Sequence, residues 1–185
     1  DKENALYFNT HIAAARVLFS IAYWFAAFHK PVHVDEFYSW VYAERCSFAG
    51  ILSLADHGIG HPPLYHVLQK MAAILLPHSF PISLRIVNYI AGSIFIILFV
   101  RLLLLQRHLP VFCYGAACSA IILNAFLFSR MYGLVLLFSL LFYWFGEKYY
   151  ERANLKNAAL LLSVFTLGMY ADYNFIVLAP YLGII

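Results

Sequence analysis

Two adjacent carboxylates, Asp35 and Glu36, lie near the start of the most polar stretch of the chain, residues 33–66. The stretch reads HVDEFYSWVYAERCSFAGILSLADHGIGHPPLYH, and strongly apolar segments flank it. Acids beside a membrane are costly unless they are solvated, paired or used in chemistry. We therefore interpret the chain as a membrane protein whose chemistry takes place at one water-facing surface, where these carboxylates lie.

The composition indicates an integral membrane protein. Of the 185 residues, 64% are hydrophobic and 11% are charged, whereas soluble domains carry about 25% charged residues. Tyrosine and phenylalanine are abundant, as they are at membrane interfaces. The net charge of +3 is too small to indicate nucleic-acid binding, and three cysteines provide no paired framework.

The apolar stretches predict an all-α, multi-pass membrane protein. A helix needs about 20 residues to cross a bilayer, and on this basis we predict spans at residues 12–28, 83–105, 111–128, 131–149, 155–170 and 175–185. The polar residues 171–174 divide the last apolar stretch, which is too long for one span. Because that stretch reaches Ile185 without an exit signal, we interpret residues 1–185 as the N-terminal transmembrane part of a longer protein.

Residues 29–82 are predicted to form a long outer loop that contains amphipathic helices lying in the membrane interface. Apolar residues recur at helical spacing after Asp35 and again after Leu64, where Gln69 and Lys70 fall on the opposite face. The pair Pro62-Pro63 predicts the start of the second helix, because proline is favoured at the first helical position.

Lysine and arginine in the short loops predict the orientation. The cations of residues 101–110 and 147–156 place these loops in the cytoplasm together with the N-terminus. The segment around Asp35 then shares the opposite face with Arg130 and Asp172. We expect an inner (plasma) membrane of bacterial type, with the site on its outer face.

Five motifs carry a resemblance to a known family: DEFYSW, GHPPLYHVLQK, SLRIVNYIAG, SRMYGLVLLFSLL and YADYNF. In this order they resemble the GT-C polytopic glycosyltransferases of the glycosyltransferase 39, protein O-mannosyltransferase-like and lipid A aminoarabinose transferase type. The resemblance covers nearly the whole chain. It implies a GT-C multi-span bundle that transfers a sugar from a polyprenyl-phosphate donor to a hydroxyl of a lipid, glycan or protein acceptor, with inversion.

The resemblance also implies residue roles. Asp35 matches the family's general base, with Glu36 as the neighbouring catalytic candidate, and Arg85 and Arg130 match basic positions that would stabilise the leaving phosphate. Further substrate-binding candidates are His61, Tyr65, Lys70, Tyr132 and Asp172. Aminoarabinose-transferase members have Lys before the double proline where this chain has His61, and other members often have His near the last turn where it has Asp172.

Each candidate also has a plainer interpretation. Asp35 can cap the helix that follows it, and Glu36 can favour the helix dipole from the first turn. Arg85 can extend towards the interface from the start of its span, and Arg130 with Tyr132 can anchor a helix end there. Lys70 can simply belong to the polar face of its helix, and Asp172 can be a solvated turn residue.

A metal site and a different protein class are the remaining alternatives. His57 and His61 have a spacing that suits zinc on a helix, but Gly58 and Gly60 interrupt it, so no cofactor is predicted and a divalent metal is the alternative. A non-catalytic polytopic protein, either a transporter or an assembly subunit, is the other class. The charges cluster at span ends and loops and not in mid-span, which favours the enzyme.

The orientation leads to a labelling prediction. In a cysteine-free background, a cysteine at Ser47 is expected to react with a membrane-impermeant thiol reagent added from outside, because the outer loop is translocated. A cysteine at Gln106 is expected to react only after the cytoplasmic face is opened. Labelling of both positions from the same side would contradict the topology.

Overall fold

The computed structural model describes residues 2–54, 62–77, 79–128 and 130–182. Within these ranges all regular elements are helical, which confirms the predicted all-α class. The elements are α1 Lys2–His29, α2 Val34–Arg45, α3 Phe48–Leu54, α4 Leu64–Leu75, α5 Ile82–Leu105, α6 Pro110–Ala117, α7 Ala120–Leu127, α8 Tyr132–Glu151, α9 Leu155–Ala171, a 3₁₀ segment Tyr173–Leu178 and α10 Ala179–Leu182.

Three helical segments of the described chain are long and apolar enough to cross a membrane: Asn4–His29, Ile82–Leu105 and Pro110–Leu127. They correspond to the first three predicted spans. Helices α8 and α9 occupy the fourth and fifth predicted spans, although α8 carries three charged residues near its C-terminal end and α9 has only 17 residues. The chain is therefore consistent with a membrane protein.

Two predicted spans differ from the observed helices. The third is broken between α6 and α7, where Ser119 has extended backbone with φ −62° and ψ 126°. Neither proline nor glycine marks this break, so the sequence gives no breaker signal. The sixth begins as 3₁₀ helix, because the Asp172 side chain accepts a hydrogen bond from the Asn174 amide and starts a new turn; residues 183–185 lie outside the described part.

Helix α5 is central to the main core, which it forms with α1, α4, α6, α7 and α8. Phe126 of α7 packs between Phe19 of α1, at a centroid distance of 6.1 Å and near-perpendicular rings, and Phe95 of α5, at 5.4 Å. Such aromatic pairs contribute about 0.5–1.5 kcal/mol beyond the area that they bury. A second cluster joins α8, α9 and the 3₁₀ segment through Phe142 and Phe175.

Four chain segments meet at one end of this bundle, which we call the Asp35 end. They are the C-terminus of α1, the N-termini of α2 and α5, and the turn between α7 and α8. The Tyr23 hydroxyl of α1 ties three of them together, because it donates to the Arg85 carbonyl at 2.8 Å and lies 3.4 Å from the Phe126 carbonyl. Side chains distant in sequence thereby become neighbours.

The close approach of α1 and α5 yields a stability prediction. A methyl group at Gly92 would lie 2.5 Å from the Phe19 ring and 3.0 Å from Phe126, whereas one at Gly115 would meet no atom of the described residues within 4 Å. We expect Gly92→Ala to cost about 1–3 kcal/mol by overpacking. Gly115→Ala is the control and should be neutral or stabilising, by up to about 1 kcal/mol of helix propensity. Thermal unfolding in detergent measures both, and equal shifts would contradict this account.

Candidate active site

Helix α2 begins with a capping box that uses histidine. The His33 side chain accepts a hydrogen bond from the Asp35 amide at 3.3 Å, and the His33 amide donates to the Glu36 carboxylate at 2.7 Å. These contacts satisfy amide groups that a helix N-terminus leaves without partners. The interpretation of Asp35 as the cap is therefore wrong, since His33 has that position and leaves the Asp35 carboxylate available for other contacts.

Asp35 instead pairs with Arg130 across the Asp35 end. The Arg130 guanidinium lies 3.4 Å from the Asp35 carboxylate, and the two side chains are 19% and 53% exposed. The His33 ring nitrogen lies 3.8 Å from the same carboxylate. Because the Asp35 carboxylate is half exposed, water screens its attraction to Arg130, and the pair contributes about 0–1 kcal/mol to stability. An acid and a guanidinium thus meet at a surface that ligands can reach.

A layer of buried charge lies behind this pair. Glu36 is fully buried and Arg85 is 1% exposed, and Arg85 donates to the Lys30 carbonyl at 2.9 Å. Burial lowers the pKa of Lys30; the negative charge of Glu36 opposes this and the positive charge of Arg85 adds to it. The interpretation of Arg85 as a residue reaching towards the interface is wrong, because its side chain is inside the protein.

Tyr65 belongs to the junction between α4 and α5. The Gln69 amide donates to the Tyr65 hydroxyl and to the Leu84 carbonyl, both at 2.6 Å, and all three groups are buried. Burial raises the pKa of the Tyr65 phenol well above its usual value, although the hydrogen bond from Gln69 partly opposes the shift. Gln69 was predicted on the polar outer face of α4, so the structure reverses that assignment.

The other predicted candidates lie in different surroundings. The Lys70 ammonium donates to the Ala43 carbonyl at 3.1 Å and so joins α4 to the C-terminal end of α2. Tyr132 and Asp172 line one groove of about 740 Å³ between α5, α7, α8 and the 3₁₀ segment. Asp172 is only 6% exposed, so its interpretation as a solvated turn residue is wrong. His61, as well as His57, lies outside the described residues.

The described residues contain no group of three or more histidine, cysteine, aspartate or glutamate side chains that could hold a metal ion. Sequence reasoning missed three residues that shape the Asp35 end, namely Lys30, His33 and Asn88. A sequence signal for Asn88 did exist, because it is a polar residue three positions after Arg85 in a mostly apolar helix. His33 had one as well, since a capping box places a glutamate three residues after the cap.

No protein-family model matches this chain, and comparisons with curated proteins and with solved structures find no significant match. The resemblance to the GT-C glycosyltransferases therefore rests on the motifs of the sequence.

The different burial of the two arginines yields a matched prediction. Arg85→Met is expected to destabilise the protein by about 1.5–3 kcal/mol, because it removes a buried charged donor from the Lys30 carbonyl. Arg130→Gln removes one partner of an exposed pair and is expected to cost less than about 1 kcal/mol. Thermal unfolding of both variants in the same detergent measures the difference. A larger loss for Arg130→Gln would contradict the assignment of buried and exposed roles.

Proposed function

We propose that this chain contains the acid and phosphate-binding end of a membrane glycosyltransferase of the GT-C type. The enzyme would transfer a sugar from a polyprenyl-phosphate donor to an acceptor hydroxyl at the outer membrane face and invert the anomeric configuration. The observation that carries the proposal is the pairing of the half-exposed Asp35 carboxylate with Arg130 at 3.4 Å. These two residues come from two of the motifs on which the family resemblance rests.

Asp35 would be the general base. Its carboxylate takes the proton of the acceptor hydroxyl while that oxygen forms a bond to the anomeric carbon. The bond between the anomeric carbon and the phosphate oxygen breaks, and the phosphate leaves with the electron pair. A positioned base contributes roughly 10²–10⁴-fold to such a step. The capping by His33 supports this role, since it leaves the Asp35 carboxylate free of the helix N-terminus.

Arg130 would have two roles in this reaction. Its contact with Asp35 orients the base, and its guanidinium can turn to the phosphate oxygens that gain charge as the sugar leaves. A guanidinium suits this task because its planar set of N–H groups matches phosphate. Arg85, buried behind the pair, would add positive potential without touching the donor. Glu36 would act in the same indirect way, as a buried capping residue and not as a second base.

A lipid-linked donor also fits the surface beside the Asp35 end. An apolar groove of about 620 Å³ runs between α4, α5 and α8, and its lining includes Leu68, Met71 and Ile90. Large apolar side chains on α2 are exposed, among them Phe37 and Tyr38. Both features suit a site whose substrate has a hydrated, charged sugar phosphate and an apolar hydrocarbon chain. They support a location at the membrane interface, with the groove available to the lipid chain.

The decisive test replaces Asp35 by asparagine. Because Asp35 does not cap α2, Asp35→Asn should stay folded, and it should lose sugar transfer by at least roughly 10²-fold since an amide cannot accept the proton. Transfer from a panel of polyprenyl-phosphate sugars by the purified full-length protein is the measurement. Glu44→Gln is the matched control, because it neutralises an exposed acid on the same helix. Near-normal turnover by a folded Asp35→Asn protein would reject Asp35 as the base.

A further inference from the structure

The turn that presents Arg130 is held from inside the protein by Asn88. The Asn88 side-chain amide donates to the carbonyl of Phe128 and, at 3.1 Å, to the carbonyl of Arg130 itself. The Arg130 amide in turn donates to the Phe128 carbonyl at 2.8 Å. One buried side chain thus contacts the backbone of both Phe128 and Arg130. We infer that Asn88 is a positioning residue that sets Arg130 against Asp35.

The hydrogen bonding of Asn88 supports this inference. Asn88 is fully buried, yet its side-chain oxygen has no hydrogen-bond partner among the residues that the structure describes. A buried polar atom without a partner destabilises a fold, and each instance requires an explanation. Here the explanation is that the amide nitrogen of the same side chain makes both contacts to the turn. An apolar residue would avoid the unsatisfied oxygen but would remove a donor from the Arg130 carbonyl and leave the Phe128 carbonyl with the Arg130 amide as its donor.

Lys30 holds the same turn from a second direction. Its ammonium lies 3.3 Å from the centroid of the Phe128 ring, and the nitrogen is buried with no hydrogen-bond partner in the described part of the chain. A cation over an aromatic face is attracted to the ring, and more strongly so when it is desolvated. The Phe128–Arg130 turn is therefore fixed at its backbone by Asn88 and at its first side chain by Lys30.

The packing behind Asn88 leaves the turn little room to move. A methyl group at Gly133 would lie 2.7 Å from the Phe126 ring and 3.4 Å from the Asn88 side chain. The first turn of α8, the end of α7 and Asn88 are thus in close contact. Close packing of this kind makes small displacements costly, so loss of the Asn88 contacts should release the turn and the Arg130 side chain with it.

Chemical modification of Arg130 tests the inference without any substrate. Phenylglyoxal reacts with accessible, unpaired guanidinium groups, and peptide mass spectrometry can follow Arg130 relative to the exposed Arg152. Asn88→Leu keeps the shape of the side chain and removes its donors. It should therefore raise the rate at which phenylglyoxal modifies Arg130 several-fold, towards the rate measured in the Asp35→Asn variant. Ser93→Ala, which alters a buried polar residue elsewhere on α5, should leave the rate unchanged.

The inference would be overturned if Asp35→Asn accelerates the modification of Arg130 but a folded Asn88→Leu protein shows an unchanged modification rate. Where Asn88→Leu does not fold, Asn88→Ser decides in the same way. Its shorter side chain cannot reach both carbonyls that Asn88 contacts, so the rate of Arg130 modification should rise. A rate equal to that of the wild-type protein would overturn the inference here too.

A second measurement rests on the proposed function. In a double-mutant cycle on donor kcat/KM, Asn88→Leu should lower transfer in the native background and cause no further loss in an Arg130→Gln background, since residues that act through one another are not additive. If the losses in kcat/KM caused by Asn88→Leu and by Arg130→Gln multiply in the double mutant, Asn88 has a purely structural role. If modification responds as expected but no transfer is found with any donor, the proposed function fails and the positioning of Arg130 by Asn88 stands.

Discussion

Burial of charge at one end of an otherwise apolar bundle is the constraint on which the rest of this structure depends. Removing a charged group from water costs several kcal/mol unless neighbouring groups compensate. Glu36 and Arg85 are both inside the protein. Their compensation comes from other chain segments: the His33 amide for the carboxylate and the Lys30 carbonyl for the guanidinium. The loop after α1 is thereby joined to the starts of α2 and α5.

The surface chemistry follows from this interior arrangement. Because the buried groups fix α1, α2 and α5, Asp35 is presented at the first turn of α2 without having to stabilise it. The turn between α7 and α8 is then fixed separately, through Asn88 on α5. The Asp35–Arg130 pair joins two elements that the interior has already placed. This explains how an exposed ion pair of little energetic value can have a defined geometry.

The sequence predicted helix type and approximate span positions where hydrophobic length decides them. It located the three segments that are long and apolar enough to cross a membrane, because continuous apolar runs have few alternatives. It missed the break at Ser119, where no proline or glycine marks it. It also assigned Gln69 to an outer face. Amphipathic patterns assume that polar groups face water, whereas Gln69 faces inward because the Leu84 carbonyl and Tyr65 hydroxyl need a donor.

The sequence predicted which residue types belong to the candidate site, but not which of them are buried and which reach the surface. The motifs presented Arg85 and Arg130 as equivalent basic positions, yet one is buried and the other lies at the surface pair. Sequence order does not encode this difference, because it depends on which neighbouring segment supplies a carbonyl or a carboxylate. His61 lies outside the described residues, so its predicted role as a donor contact stays a prediction. Asn88 was missed because its partners are backbone carbonyls, which every sequence contains.

The two adjacent carboxylates illustrate the same point at the smallest scale. Consecutive residues on a helix point in directions about 100° apart and do not face each other, so Asp35 and Glu36 cannot share one environment. Glu36 is directed inward and completes the cap of α2, while Asp35 is directed outward to Arg130. Asp35 and Glu36 therefore do not form a pair of facing carboxylates. In the proposed reaction Asp35 is the single base, and Glu36 holds the helix that presents it.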